Sequence, residues 1–442
     1  MNKTTRDFLL QSINIKNSGT RLSRRTNSVI PYRKSRTANS QNIYNLRQSQ
    51  PSYDNNRVTE SYSSAYDMVC GKRPSVPVHC VRHDVISNIS SWFVTNFPGE
   101  VMFAVKTNPD VSVLRTIRKA GIKNFDVASL AEIQTVADNI ENAKMYFMHP
   151  VKSREAIFAA YFNYGIRDFS LDCHAELQKI LEVTNYAEDL SLHVRLSIAN
   201  DKALFSLAGK FGVNLEEATS LIVAAHKASK KLGICFHVGS QCMNPDAYEY
   251  AIRLVNDLLI QTEVKLDMLD VGGGFPSIYP EMTPPPLIDY MAMIENTVKS
   301  YSRLSSCKVL CEPGRALVAE SGSVVVRVEL RKGNMLYIND GTYGSLFDAG
   351  TPAFNYPVKA IRPAGKLSGD LEGFGFYGPT CDSVDVMKGP FYLPSDIKEG
   401  DWIEIGQLGA YSATMRTNFN GFYNHETVCL EDKPMLSIFS VN

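Results

Sequence analysis

From about residue 80 to residue 315, short apolar runs alternate with longer segments of helical periodicity, and eight such runs follow one another. Strands that are apolar along their whole length belong in a parallel sheet covered by helices, so the pattern reads as repeated βα units. The predicted strands are VMFAVK (101–106), FDVAS (125–129), KMYFMHP (144–150), DFSLDC (168–173), LSLHVRLS (190–197), GICFHVG (233–239), LDMLDVGGG (266–274) and KVLCEPGR (308–315). Between them LAEIQTVADNI (130–140), LEEATSLIVAAHKAS (215–229) and DAYEYAIRLVNDLLI (246–260) read as amphipathic helices. Eight repeats in about 235 residues match a (β/α)8 TIM-like barrel; a doubly wound open sheet, the alternative, has no need of eight strands of one kind.

After Arg315 the rhythm changes to β-branched and aromatic runs between Gly and Pro turns: SGSVVVRVEL, NMLYIND, GFGFYGP, DWIEIGQLG and PMLSIFS. These predict a second, all-β domain. The expected layout is a disordered basic tail (1–57), a segment joining the β domain (58–79), the barrel (80–318) and a C-terminal all-β domain (319–442).

Lys plus Arg equal Asp plus Glu at 46 each, so the charge balance favours neither nucleic acid nor membrane as a partner and a small-molecule ligand is expected. No apolar run approaches the roughly 20 residues of a membrane span, and the first residues lack a secretory h-region, so a cytoplasmic location is expected. The nine cysteines are scattered, with no CxxC pair, which points to reduced thiols and no metal site. Residues 1–50 hold ten Lys or Arg and one acid, Asp7. That composition reads as a disordered tail, with an organelle transit peptide as the alternative.

In a parallel barrel the C-terminal strand ends open onto one face, where polar residues form the active site. Lys106 ends the first predicted strand, His149 the third, Arg195 the fifth, and His237 lies in the sixth. Gly272, Gly273 and Gly274 end the seventh; Glu312 and Arg315 end the eighth. Singly, each also reads as ordinary structure, a capping lysine or a turning glycine. Together they suggest a cofactor. Glycine N–H groups can approach a phosphate closely and Arg315 can add charged hydrogen bonds. Partial desolvation of a strand-end lysine favours the neutral amine that condensation with an aldehyde requires. Adding a carboxylate for a pyridinium proton describes a site for pyridoxal 5'-phosphate.

The segments FAVKTNP, FDVAS, HVGSQC, DVGGGFP, CEPGRALV, YGPTCDSVD and GAYSATMRTNFNGF resemble, in that order, the signatures of the ornithine decarboxylase family, over about residues 65–435. The resemblance implies that Lys106 carries the cofactor covalently, that His237 stacks on the pyridine ring and that Glu312 pairs with its nitrogen. It assigns the phosphate to Ser240, the three glycines, Arg315 and Tyr411, and sets Arg195 near the ring hydroxyl. Asp126 and Glu132 match acidic positions near the lysine and phosphate. Cys381 is implied as proton donor, with Asp382 and Asp348 as ligands of a substrate side-chain ammonium. The surroundings of Asp348 differ from the Tyr-Asp-His pattern of the animal enzymes, and Met148-His149 stands where those have Ala-Asn. The resemblance further implies a homodimer whose active sites are shared through the CDSVD loop, with Lys210 and Asp385 as an ion pair across the interface. The implied reaction is conversion of L-ornithine to putrescine, a step of polyamine biosynthesis. The alternatives are a lysine/ornithine decarboxylase making cadaverine, a diaminopimelate decarboxylase or amino-acid racemase, and a catalytically dead regulatory homologue.

Overall fold

The computed structural model describes residues 60–198, 209–350 and 354–440. The tail expected over 1–57 lies outside the described residues.

All eight predicted barrel strands form. In chain order they are Glu100–Ala104, Asn124–Val127, Lys144–Phe147, Asp168–Leu171, Ser191–Arg195, Lys231–Cys235, Met268–Asp270 and Lys308–Cys311, each parallel to its neighbours. Leu310 pairs with both Glu100 and Asp270, which closes the barrel. Arg195 ends its strand as expected, but the strands that carry Lys106, His149, His237, the three glycines, Glu312 and Arg315 end before those residues. Lys106 therefore sits in a 3-10 turn, Val105–Thr107, and His237 lies beyond Cys235 rather than within its strand.

The helices follow their apolar spacing. Asp246–Thr262 buries Tyr248, Ala251, Ile252, Val255, Leu258 and Leu259 on one stripe. Burying each large aliphatic side chain contributes about 1.5–3 kcal/mol. Leu215–Ala228 starts at Asn214, whose side chain accepts the Glu217 N–H at 2.8 Å. Inside the barrel Met102, Tyr146, Met148, Cys235, Met268 and Leu310 form a separate cluster, rich in unbranched, sulfur-containing side chains that fit an irregular interior.

The β domain is built around Gly322–Lys332, which pairs antiparallel with Val78–Val81, Met335–Ile338 and Trp402–Ile405. Ser61–Tyr62 joins the same sheet through Glu426–Leu430. Three of its strands, Val358–Ile361, Val386–Pro394 and Glu426–Leu430, were not anticipated by the apolar runs. Conversely PMLSIFS forms no strand. Its end is a 3-10 turn, Ile438–Ser440, because the Ile438 N–H is taken at 2.8 Å by the buried Glu320 carboxylate rather than by a neighbouring strand. Among the described residues no helix is long and apolar enough to cross a membrane, and all nine cysteines are free.

Candidate active site

The barrel mouth gathers most of the sequence-predicted residues. Ala104 pairs with Asp126 across the first two strands, and Lys106, one turn on, donates from Nζ to Asp126 Oδ2 at 3.0 Å. The lysine side chain is 43% exposed whereas its partner is 3% exposed, so the cation looks out of the mouth over a buried acid. Desolvation favours the neutral amine, but the charges of Asp126, Glu312 and Tyr411 outweigh it and hold the Lys106 ammonium above its usual range. Desolvation thus acts in the direction the sequence suggests, and acids from other strands, not visible in the local sequence, oppose it in the free chain.

Glu312 follows the last barrel strand and donates its N–H to the Gly272 carbonyl at 2.8 Å. Burial, then the carboxylates of Asp270 and Asp126, push its carboxyl well above the usual range against the pull of Lys106. His237 accepts the Gly239 N–H on Nδ1 at 3.0 Å, which leaves Nε2 to carry the ring proton. Burial, Arg195 and Lys106 all keep this imidazole neutral. A neutral, oriented ring of this kind can lie against a planar cofactor.

Gly272 and Gly274 have φ of +68° and +103°, and a Cβ on Gly272 would collide with the Phe236 carbonyl oxygen. At Gly273 a Cβ would come within 2.7 Å of the Glu312 carbonyl oxygen. Beside this bare backbone, buried Arg315 donates to the Tyr279 hydroxyl at 2.9 Å, to Ser240 Oγ at 3.5 Å and to Asp348 Oδ2 at 3.3 Å. Its Nε is buried without an acceptor. The Tyr411 ring lies 5.0 Å from the guanidinium carbon, and its N–H bonds to Thr107, next to Lys106. A guanidinium with a spare donor, a serine hydroxyl and a glycine turn suit a phosphate. With Lys106 and Glu312 nearby, the residues fit pyridoxal 5'-phosphate.

Other residues have local duties. Glu132 accepts the Ala128 N–H at 2.7 Å while Ser129 caps the helix that follows, so Glu132 shapes the turn after its strand. Arg195 and His149 both pack on Phe211, with the Arg195 guanidinium carbon 5.9 Å and the His149 centroid 5.1 Å from its ring centre.

Cys381 and Asp382 are held elsewhere. The Cys381 N–H bonds to Asn420 Oδ1 at 3.0 Å, and Asp382 Oδ2 accepts from the Tyr343 hydroxyl at 2.5 Å. Their polar contacts all lie in the β domain, and the thiol is exposed. Asp348 contacts Arg315 and not Asp382. The ion pair expected between Asp385 and Lys210 runs from one chain to another, and within one chain the two residues have separate partners. Asp385 is 2% exposed and accepts from the N–H and hydroxyl of both Thr342 and Thr380, which uses its carboxylate lone pairs within its own chain. Lys210 instead lies 5.1 Å from the Phe211 ring centre.

Tyr279, Phe211, Tyr343 and Asp270 were missed by sequence reasoning. Only Asp270 carried a signal, as an acid immediately before the glycine run; the others come from loops whose spacing says nothing about where they land.

A family model for the pyridoxal-dependent decarboxylase, pyridoxal binding domain, matches residues 82–319. The chain is 34% identical over 344 residues to a lysine/ornithine decarboxylase of Selenomonas ruminantium, covering 76% of this chain and 84% of that protein. It is 31% identical to an ornithine decarboxylase of Panagrellus redivivus, over 80% of this chain and 85% of the relative. A crystal structure of an SrLDC mutant in complex with PLP superposes with a TM-score of 0.75 at 29% identity, covering 85% of this chain and 97% of that one.

Proposed function

The chain belongs to the pyridoxal-dependent ornithine decarboxylase family, and from that premise we propose that it decarboxylates L-ornithine to putrescine, with L-lysine a slower second substrate. The observation that carries the reading is the convergence of Lys106, Asp126, Glu312, His237 and Arg315 on one barrel mouth.

Bound pyridoxal 5'-phosphate supplies a conjugated electron sink for the electron pair left at the substrate Cα when carbon dioxide departs. Lys106 would provide the amine that tethers the cofactor between turnovers, and Asp126 accepts a hydrogen bond from its Nζ. Glu312 keeps a proton on the pyridine nitrogen, which is stabilisation aimed at the charge that develops in the transition state. His237 would offer its neutral ring face to the cofactor, and Arg195 would serve the ring hydroxyl. Gly272, Gly273, Gly274, Ser240, Arg315 and Tyr411 would hold the phosphate. Cys381 delivers a proton to Cα, and Asp382 with Asp348 binds the distal ammonium. Cys381 and Asp382 reach the barrel mouth of a second copy, so the working form is a homodimer with shared sites. Retention of Lys106, Glu312, Cys381, Asp382 and Tyr411 favours an enzyme over a dead regulatory homologue.

A clamp of two carboxylates selects strongly for a terminal cation, but one methylene is worth only about 1–3 kcal/mol, so lysine is rejected incompletely. Similarity to a lysine/ornithine decarboxylase supports that second substrate. The test is to supply ornithine, lysine, arginine and diaminopimelate to the purified protein with cofactor and to identify the amine. Putrescine should form with the highest kcat/KM. Faster cadaverine production would reassign the substrate, and no amine from any of the four would overturn the enzyme.

A further inference from the structure

Two loops of the β domain hold Cys381 and Asp382. The loop 340–346 bears Tyr343, whose hydroxyl donates to Asp382 Oδ2 at 2.5 Å. The loop 413–423 bears Asn420, whose Oδ1 accepts the Cys381 N–H at 3.0 Å. The two loops also touch each other, since the Thr417 N–H donates to the Tyr343 carbonyl at 2.9 Å and the Phe419 ring lies 4.8 Å from that of Tyr343. Behind this contact sits Arg416.

The Arg416 and Asp340 side chains are each 2% exposed and form an ion pair at 3.2 Å. One terminal nitrogen, Nη1, donates to both Asp340 oxygens at 3.2 Å and to Ser345 Oγ at 3.0 Å, so it grips the Tyr343 loop near both of its ends. Asp340 Oδ1 in turn accepts the N–H groups of Gly341 at 3.0 Å and Ser345 at 3.2 Å, and a Cβ on Gly344 would collide with the same oxygen. The loop is wrapped closely on that carboxylate. The other terminal nitrogen, Nη2, donates to the Tyr423 carbonyl at 3.1 Å, beyond Asn420 in the second loop. Nε is buried without an acceptor, so the two terminal nitrogens carry the hydrogen bonds of the guanidinium. A buried ion pair commonly stabilises a fold no more than well-packed apolar side chains of the same volume. What this one supplies beyond packing is direction: one planar cation joins the loop behind Asp382 to the loop behind Cys381.

We propose that Arg416 is a positioning residue for the decarboxylation. By bridging Asp340 to the Tyr423 carbonyl it sets Tyr343 and Asn420, and through them the Asp382 carboxylate and the Cys381 backbone, in one fixed arrangement. The inference rests on the roles given above to Cys381 as proton donor and Asp382 as ammonium ligand. Lysine keeps a cation for buried Asp340 but carries it on a single nitrogen, which cannot serve both arms of the bridge; methionine keeps the stem and no charge.

The full chain loaded with pyridoxal 5'-phosphate is to be compared with Arg416→Lys and Arg416→Met by hydrogen–deuterium exchange, thermal melting, cofactor titration and ornithine kinetics. Arg416→Lys should keep the wild-type melting temperature and cofactor affinity. Its kcat/KM should nonetheless fall at least about tenfold, and the peptides containing Cys381 and Thr417 should exchange at least about tenfold faster, the scale of a lost hydrogen bond to a charged group. Exchange in the barrel strand Glu100–Ala104 should not change. Arg416→Met should show the same local losses with a lower melting temperature; if it does not fold, Arg416→Lys decides. Wild-type kcat/KM in Arg416→Lys, unchanged exchange in the two loops, or faster exchange spread equally over loops and barrel overturns the proposal. If the wild type releases no amine from any substrate, the decarboxylase reading fails, and the exchange comparison alone decides whether Arg416 joins the loops.

Discussion

The carboxylate of Asp348 accepts a hydrogen bond from the guanidinium of Arg315 at 3.3 Å, so a proposed substrate ligand is also the counter-ion of a proposed phosphate ligand. A phosphate arriving at Arg315 competes with Asp348, and a distal ammonium offers Asp348 a replacement cation. Asp348→Asn should therefore raise KM for ornithine by about tenfold or more, the scale of a lost charged hydrogen bond, and leave cofactor affinity unchanged or tighter. Weaker cofactor binding with an unaltered KM would make Asp348 a mere partner of Arg315.

Cys381 and Asp382 make their polar contacts within the β domain, while Lys106 faces the barrel mouth. Mixing inactive Lys106→Ala and Cys381→Ala chains should restore about a quarter of wild-type activity, because half of randomly formed dimers are mixed and each has one site free of both lesions. The measurement is activity after subunit exchange has been demonstrated by mass tagging. Zero recovery would mean that each chain carries a complete site.

Within one chain Asp385 and Lys210 have separate partners, so their substitutions should differ in effect on stability. Asp385→Ala strands the donors of Thr342 and Thr380 and should cost roughly 3 kcal/mol in urea unfolding, with activity lost as the CDSVD loop loosens. Lys210→Ala should change stability by less than about 0.5 kcal/mol. Equal losses, or dissociation of the dimer in both variants, would point to the ion pair between chains.

Burial pushes the Glu320 carboxyl up to about 7, against hydrogen bonds from Ile438, Ser437 and Ser277. An acid raised in the folded state contributes its stability fully below the unfolded value, near 4.5, and that contribution is lost as pH rises to about 7. Glu320→Gln cannot ionise. It should match the wild type near the lower end of that window and exceed it by roughly 3 kcal/mol at about pH 8, the linkage equivalent of the shift. A difference that does not vary with pH would show that Glu320 does not titrate in this range.

Short-range information sufficed for much of this protein. Strand and helix periodicity are local properties, so the eight apolar runs and the switch to β-branched segments after Arg315 were legible, and strand ends of a parallel barrel must meet at one face. Lys106, His237, Glu312 and Arg315 were found for that reason. The β domain was read less well because Val358–Ile361 and Glu426–Leu430 find their partners far away in sequence, and PMLSIFS was diverted by a single buried carboxylate. What no local pattern contains is the charge that one side chain feels from another. The protonation of Lys106 depends on Asp126 and Glu312, and the satisfaction of Asp385 on Thr342 and Thr380. Motif and periodicity in the sequence determined the barrel, the family and the identity of the reactive groups. Their ionisation and partners were decided only by the tertiary structure, because Coulomb and desolvation energies depend on distances that exist only once the strands have closed on one another.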